Sequence, residues 1–225
     1  MSKIKVEIWS DIACPYCYIG KRKFEKALEQ FPRAKDVELI WHSYELNPDL
    51  PKGIHSESGK SAHYNSRSNK KMEALAAEVG LEYNLDKLVY ANTSDALRLV
   101  KLAKEKGLAT EAEEVLFKAY FTDGKNVSDK QVLIEAGTSI GLPKDEIEEV
   151  LDSERFLQEI KDDIAYSENE LNLEYIPFYQ IDEKITIEGS LAIEEYVKAL
   201  EAAVNGNDES INFSGQSCSI DGVCS

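Results

Sequence analysis

Along Lys3-Ile4-Lys5-Val6-Glu7-Ile8-Trp9 polar and apolar residues alternate, with Ile4, Val6 and Ile8 on one face, and this period of two predicts a strand. Further on, Phe24, Leu28 and Phe31 fall at helical spacing and Pro32 closes that segment. The run VELIWHSYEL, rich in β-branched and aromatic residues, predicts a second strand, so the N-terminal part is a β-α-β unit. From about residue 60 to 170 the pattern becomes helical, with Gly or Pro at several boundaries and no convincing strand. IPFYQI and KITIEG then return to the strand pattern around the turn Asp182-Glu183-Lys184, and SLAIEEYVKALEAAV predicts a final helix beginning near Ser190. A helical block thus interrupts an α/β unit. The polar stretch NGNDESINFSGQS, residues 205–217, reads as a mobile linker.

Composition adds limits to this picture. The 225 residues, 43 % hydrophobic and 30 % charged, suit a soluble protein of one elaborated domain, or of a small domain carrying an insertion. There is no internal repeat and no apolar run of the roughly 18 residues that a membrane span requires. The N-terminal residues alternate like a strand instead of forming a signal-peptide core, so a cytoplasmic location is expected. The formal charge of −16 resides entirely in residues 145–209, which hold 20 acidic and 4 basic side chains. Such a surface argues against nucleic-acid or anionic-membrane partners, both of which need basic patches, and it is most simply a solvated helical face.

The candidate chemistry lies in SDIACPYCYIG, residues 10–20. With Cys14 at the N-cap of the helix after the first strand, Pro15 takes the first helical position, where its missing N–H costs nothing. The unpaired backbone donors and the helix dipole then favour the thiolate of Cys14, making it the nucleophile. Cys17, one turn on, is placed to resolve a mixed disulfide formed at Cys14. Pro15 and Tyr16, between them, help set how strongly the thiolate is stabilised. Ser10 and Asp11 border the pair and are candidates for tuning it and for lining the substrate groove. A second pair, Cys218 and Cys224, lies near the C-terminus. The competing chemistry is a structural zinc held by all four cysteines in a noncatalytic partner-binding module, although five intervening residues are loose spacing for the second pair. His42, His55 and His63 are too scattered to indicate a metal site, so no metal is assigned. His42 reads as a structural histidine, and Trp9 and Trp41 as core aromatics.

The strand, Cys14-Pro15-Tyr16-Cys17 opening a helix, the long helical insertion and Ile176-Pro177 at a later strand together resemble the thioredoxin-fold DsbA family. The stretches IWSDIACPYCYIGKRKFEKAL, NTSDALRLVKLAKEKG, GKNVSDKQVLIEAGTSIGL and CSIDGVC are similar to its FrnE-type branch. The resemblance implies a thioredoxin fold interrupted by an all-helical insertion domain. On it, residues 1–58 and 171–204 form the two parts of the thioredoxin fold, 59–170 the insertion and 205–225 a flexible tail with the second cysteine pair. It further implies that Pro177 is cis and lies against the Cys14–Cys17 pair, where Ile176 pairs with an extended substrate. Cys218 and Cys224 resemble that branch's second pair, an auxiliary disulfide relaying electrons to or from the active site, with Gly222 permitting the turn; a stabilising clip is the alternative.

Three positions depart from the family pattern. Residues 172–176 lack the usual glycine, Leu97 stands where relatives often carry histidine, and Pro15-Tyr16 resembles the glutaredoxin dipeptide, which leaves glutathione use open. The implied activity is thiol–disulfide exchange or isomerisation on protein thiols and disulfides, without a tightly bound cofactor, by a monomer or homodimer. Glutathione-dependent transferases and 2-hydroxychromene-2-carboxylate isomerases share the architecture, but generally carry serine where Cys14 stands.

Overall fold

The computed structural model describes residues 3–52, 66–205, 211–219 and 224. Strand β1 (Ile4–Ser10) leads into helix α1 (Pro15–Gln30) and back to β2 (Val37–Ser43), which pairs parallel with β1 from Ile4↔Val37 to Ser10↔Ser43. After a helical segment, three more strands join this sheet: β4 (Phe178–Ile181), β5 (Ile185–Glu188) and β6 (Ile211–Ser214), in the order β2-β1-β4-β5-β6. The β4–β5 hairpin turns through Asp182 and Glu183, whose φ values of 48° and 59° match the left-handed pair that a two-residue turn demands. Asp182 is fixed there because Lys5 N donates to its Oδ1 at 2.8 Å.

Both faces of β1 are covered, which explains why its burial continues beyond the alternating stretch. Ile8 and Trp9 project to opposite faces and both are buried. Helix α1 packs with α8 (Ile193–Asn205), whereas α7 (Leu157–Asn169) lies against β2. On the α7 side, Trp9 stacks on His42 with ring centroids 4.4 Å apart and donates Nε1–H to the Asp163 carbonyl at 3.3 Å.

The segment between the two parts of the sheet holds, as far as the end of α7, helices and connecting loops, with no strand among its described residues: α2 (Ser66–Glu78), α3 (Ser94–Glu105), α4 (Ala109–Phe117) continued by a π-helical turn at Lys118–Thr122, α5 (Lys130–Ser139), α6 (Lys144–Asp152) and α7. Asp129 caps α5, its Oδ1 accepting from Gln131 N at 2.7 Å and Val132 N at 3.3 Å. Helix α3 packs against α4, α5, α6 and α7, so even its charged Arg98 and Lys101 are enclosed. Arg98 is held by Asp95 and by the Val150, Ser153 and Arg155 carbonyls, and Lys101 by the Asp163 carboxylate. Leu97 is a buried core side chain on the same helix.

The tail departs from the linker expected of its polar composition. Residues 211–214 form β6, parallel to β5, and Cys218–Ser219 form β7, antiparallel to β3 (Tyr175–Ile176). Pairing with the edge of β5 decides this for β6, together with Ile211 and Phe213, which alternate within it and pack against the core. The same pairing moves the start of the last helix. Ser190, expected near its beginning, instead bridges to Gln216, and α8 starts at Ile193. His55, His63, Gly222 and the expected 58/59 domain boundary lie outside the described residues.

Candidate active site

The first turn of α1 forms the site. Cys14 is the N-cap, with φ −87° and ψ 112°, and Pro15 follows at the first helical position. Cys17 N donates to the Cys14 sulfur at 3.3 Å and also approaches the Cys14 carbonyl at 3.1 Å. One of the otherwise unpaired donors at the helix start is thereby directed at Sγ. On its other side the Cys14 thiol faces the Ile176 carbonyl oxygen at 3.8 Å, and the Ile176–Pro177 peptide is cis. The structure thus brings together Cys14, Cys17, Pro15, Ile176 and the Pro177 peptide, although about 160 residues separate their two segments.

Neither Cys14 nor Cys17 is in a disulfide, and both are buried. Burial pushes the Cys17 thiol well up, and the adjacent Cys14 adds to the rise through a hydrogen bond and its charge; the Asp11 backbone and Ser10 oppose it. Cys17 is thereby held in its thiol form. Tyr16, between them, is buried in the same turn, and burial with the Cys14 charge nearby raises its phenol.

Asp11 supports the turn from beneath. Its backbone carbonyl accepts from Cys14 N at 3.0 Å, and its carboxylate accepts from Ala13 N at 3.1 Å and Leu46 N at 2.7 Å. Burial pushes this carboxyl up to about 6, against those hydrogen bonds and one with Thr93. Ser10 is the last residue of β1, and its carbonyl accepts from Tyr44 N at 2.9 Å. The geometry gives both residues a role in holding the loop; neither faces an open groove, as both are buried.

Several contributors were not apparent from residue spacing. Gly20 lets α1 press onto the cis-proline loop: a Cβ there would stand 2.8 Å from Tyr179 Oη and 3.1 Å from Pro177 Cγ. A glycine within a helical stretch was its only signal. Tyr179 and Tyr196 form a buried pair behind the cysteines, with ring centroids 5.3 Å apart, and burial raises both phenols. Tyr83, at a distant point in the sequence, donates its hydroxyl to the Pro15 carbonyl at 2.7 Å. Asn172, in the loop that lacks the family glycine, takes the left-handed conformation itself, with φ 50°.

The second cysteine pair is also at the site. Cys218 and Cys224 are joined by a disulfide, so they are not two thiolates of a four-cysteine zinc site. Cys218 is fully buried and lies directly opposite Ile176 in the β3–β7 pair. Among the described residues no cluster of three or more His, Cys, Asp or Glu side chains is arranged to hold a metal. His42 is occupied structurally, between Glu7 at 3.1 Å and Asp163 at 3.0 Å. No helix among the described residues is long and apolar enough to cross a membrane.

Comparison with known proteins agrees with this architecture. A structure described as a probable DsbA oxidoreductase from Streptomyces coelicolor is 31 % identical, with a TM-score of 0.83 over 99 % of this chain and 98 % of that one. The Bacillus subtilis protein YwbO is 23 % identical over 198 residues, 88 % of this chain and 96 % of its own length. The cytosolic disulfide reductase DsbM from Pseudomonas aeruginosa, in a structure with GSH, shares the fold at 14 % identity and a TM-score of 0.65, over 89 % and 99 % of the two chains. The model of the DSBA-like thioredoxin domain matches residues 5–201, nearly the whole strand–helix–strand frame with its helical insertion, and the chain belongs to that family.

Proposed function

We propose that this protein is a thiol–disulfide oxidoreductase or isomerase of the FrnE-type branch, acting on cysteine pairs of proteins in the cytoplasm. The observation that carries the reading is Cys14: its sulfur receives the Cys17 N–H at the start of α1 and rests against the carbonyl preceding a cis proline. In the reductive direction the Cys14 thiolate attacks one sulfur of a substrate disulfide, forming a mixed disulfide and expelling the other sulfur as a thiolate. Cys17 then loses its proton and attacks Cys14 Sγ, releasing the second substrate thiolate. Two electrons pass to the substrate, and a Cys14–Cys17 disulfide remains. Glutathione is a suitable thiol to reduce it again, two molecules giving one glutathione disulfide. The reverse sequence oxidises a dithiol.

Pro177 and Ile176 would align the substrate strand, and Cys218–Cys224 would serve as the auxiliary pair exchanging electrons with Cys14–Cys17. The position of Cys218 opposite Ile176 supports that assignment. The test is a pair of variants assayed for reduction of a protein disulfide with glutathione. Cys14→Ser is expected to lose exchange activity, and Cys17→Ser to accumulate a mixed disulfide at Cys14 that gel mobility and mass spectrometry detect. Native turnover by Cys14→Ser refutes the assignment and points to the glutathione-dependent isomerase chemistry of related enzymes.

A further inference from the structure

The edge of β3 beside the cis proline is already occupied. Tyr175 and Ile176 pair with Ser219 and Cys218, and the Ile176 carbonyl is the one that faces the Cys14 thiol. A two-residue strand does not hold an edge unaided, and the chain supplies a series of attachments. Gly215 N donates to the Glu188 carbonyl at 2.7 Å, continuing the β5–β6 pairing. Ser190 and Gln216 exchange backbone hydrogen bonds of 2.6 and 3.2 Å. On the far side the Cys218–Cys224 disulfide, between residues that also bridge antiparallel to each other, ties β7 to Cys224, which packs against the core. The passage is tight at Gly215, where a Cβ would meet the Ser190 carbonyl oxygen at 2.4 Å. Through these contacts the tail runs from the edge of the main sheet to the active site.

An extended peptide binds such an edge by adding a strand, and here the chain's own segment has taken that place. We propose that Ser217-Cys218-Ser219 is a resident mimic of the substrate. It specifies the class of external segment that fits: an extended stretch of protein, antiparallel to β3, with a cysteine opposite Ile176 and a small polar residue before it, because Ser217 is buried. The same segment excludes that substrate until β7 leaves. Only a short connection separates β6 from β7, so the tethered strand competes as a ligand at an effective concentration on the order of millimolar or higher. The apparent affinity for an outside segment falls by the fraction of molecules whose edge is free.

Reduction of the Cys218–Cys224 disulfide, by two glutathione thiols or by the Cys14–Cys17 dithiol, supplies two electrons and leaves two thiols. It breaks the fastening on the far side and lets β7 detach, so substrate access follows the redox state of the tail. This inference rests on the reading of β3 as the seat of the substrate, and it is tested by binding apart from the chemistry.

The probe is a fluorescent peptide with the sequence Ser-Ser-Ser at its centre, the cysteine replaced so that no exchange occurs. Its anisotropy is titrated with three full-length proteins: the unaltered chain with the 218–224 pair oxidised, Ser219→Pro, which disfavours the β7 pairing, and Cys218→Ser/Cys224→Ser, which removes the fastening. Both variants are expected to bind the peptide about tenfold more tightly than the unaltered chain. Equal or weaker binding by both overturns the proposal, whatever their turnover. Should Ser219→Pro fail to fold, the double serine variant alone decides, since it keeps every backbone N–H and lies outside α1 and the cis-proline loop. Loss of the catalytic reading would appear separately, as turnover by Cys14→Ser.

Discussion

Glu113 lies on α4 with 1 % of its surface exposed, and its Oε2 has no hydrogen-bond partner among the described residues. Burial pushes its carboxyl from the ordinary 4.5 up to about 8; Lys21 opposes the rise and Asp11 adds to it. The folded protein therefore holds a proton that the unfolded chain releases above about pH 4.5. Each unit of difference corresponds to about 1.4 kcal/mol. Relative to acid conditions, Glu113 thus removes about 3 kcal/mol of stability at pH 7 and about 5 kcal/mol once the pH exceeds 8. The sign is that of a raised acid: the stability is fully present below pH 4.5 and lost as the pH rises through 8. Glu113→Met has similar length and nothing to titrate. Urea unfolding followed by circular dichroism at pH 5, 6, 7 and 8 is expected to show the variant gaining on the native protein by about 1 kcal/mol per pH unit. Other groups, Asp11 included, titrate in both proteins and largely cancel in the difference. If the two profiles run parallel within about 0.5 kcal/mol, the carboxylate is solvated or paired, and the reasoning fails.

Two further substitutions test the frame of the site. Burial would raise the Asp163 carboxyl, but the His42 hydrogen bond and the Lys101 charge outweigh it and hold it below the usual carboxylate range. Asp163→Asn leaves the Lys101 ammonium, on a side chain only 4 % exposed, without its counter-charge, and is expected to cost about 3–5 kcal/mol in denaturant unfolding. Gly20→Val pushes α1 away from Pro177 and Tyr179, with an expected loss of about 1–3 kcal/mol and slower alkylation or exchange at Cys14, which timed thiol trapping measures.

Local patterns already carried much of this architecture. The alternation of Ile4, Val6 and Ile8 marks β1 because all three turn into the core, Ile8 beside the same small space as Phe24 of α1, and a period of two is the only way to keep those side chains together. The cysteine spacing marks the helix start, because an N-cap thiol, a proline at the next position and a second thiol one turn on are all defined by the helix itself. The cis proline needed the family resemblance, since isolated X-Pro bonds seldom adopt that isomer. Asp11 borders the cysteines in sequence, but its burial beneath the loop depends on Leu46 and Thr93 from other segments.

What the sequence by itself determined was therefore short in range: the period of the longer strands and of the helices, the turn at Asp182-Glu183, and the pairing of chemistry between Cys14 and Cys17, all set by neighbours within a few residues. Only the tertiary structure decided the rest. The stretch INFS, its Ile211 and Phe213 set in a polar tail, is too short to announce a strand, yet it completes the sheet, because the edge of β5 pairs with its backbone and the core takes the two apolar side chains. In the same way Cys218 came to lie opposite Ile176, and Gly20 against Pro177, through contacts between segments far apart in the chain, which no local period encodes.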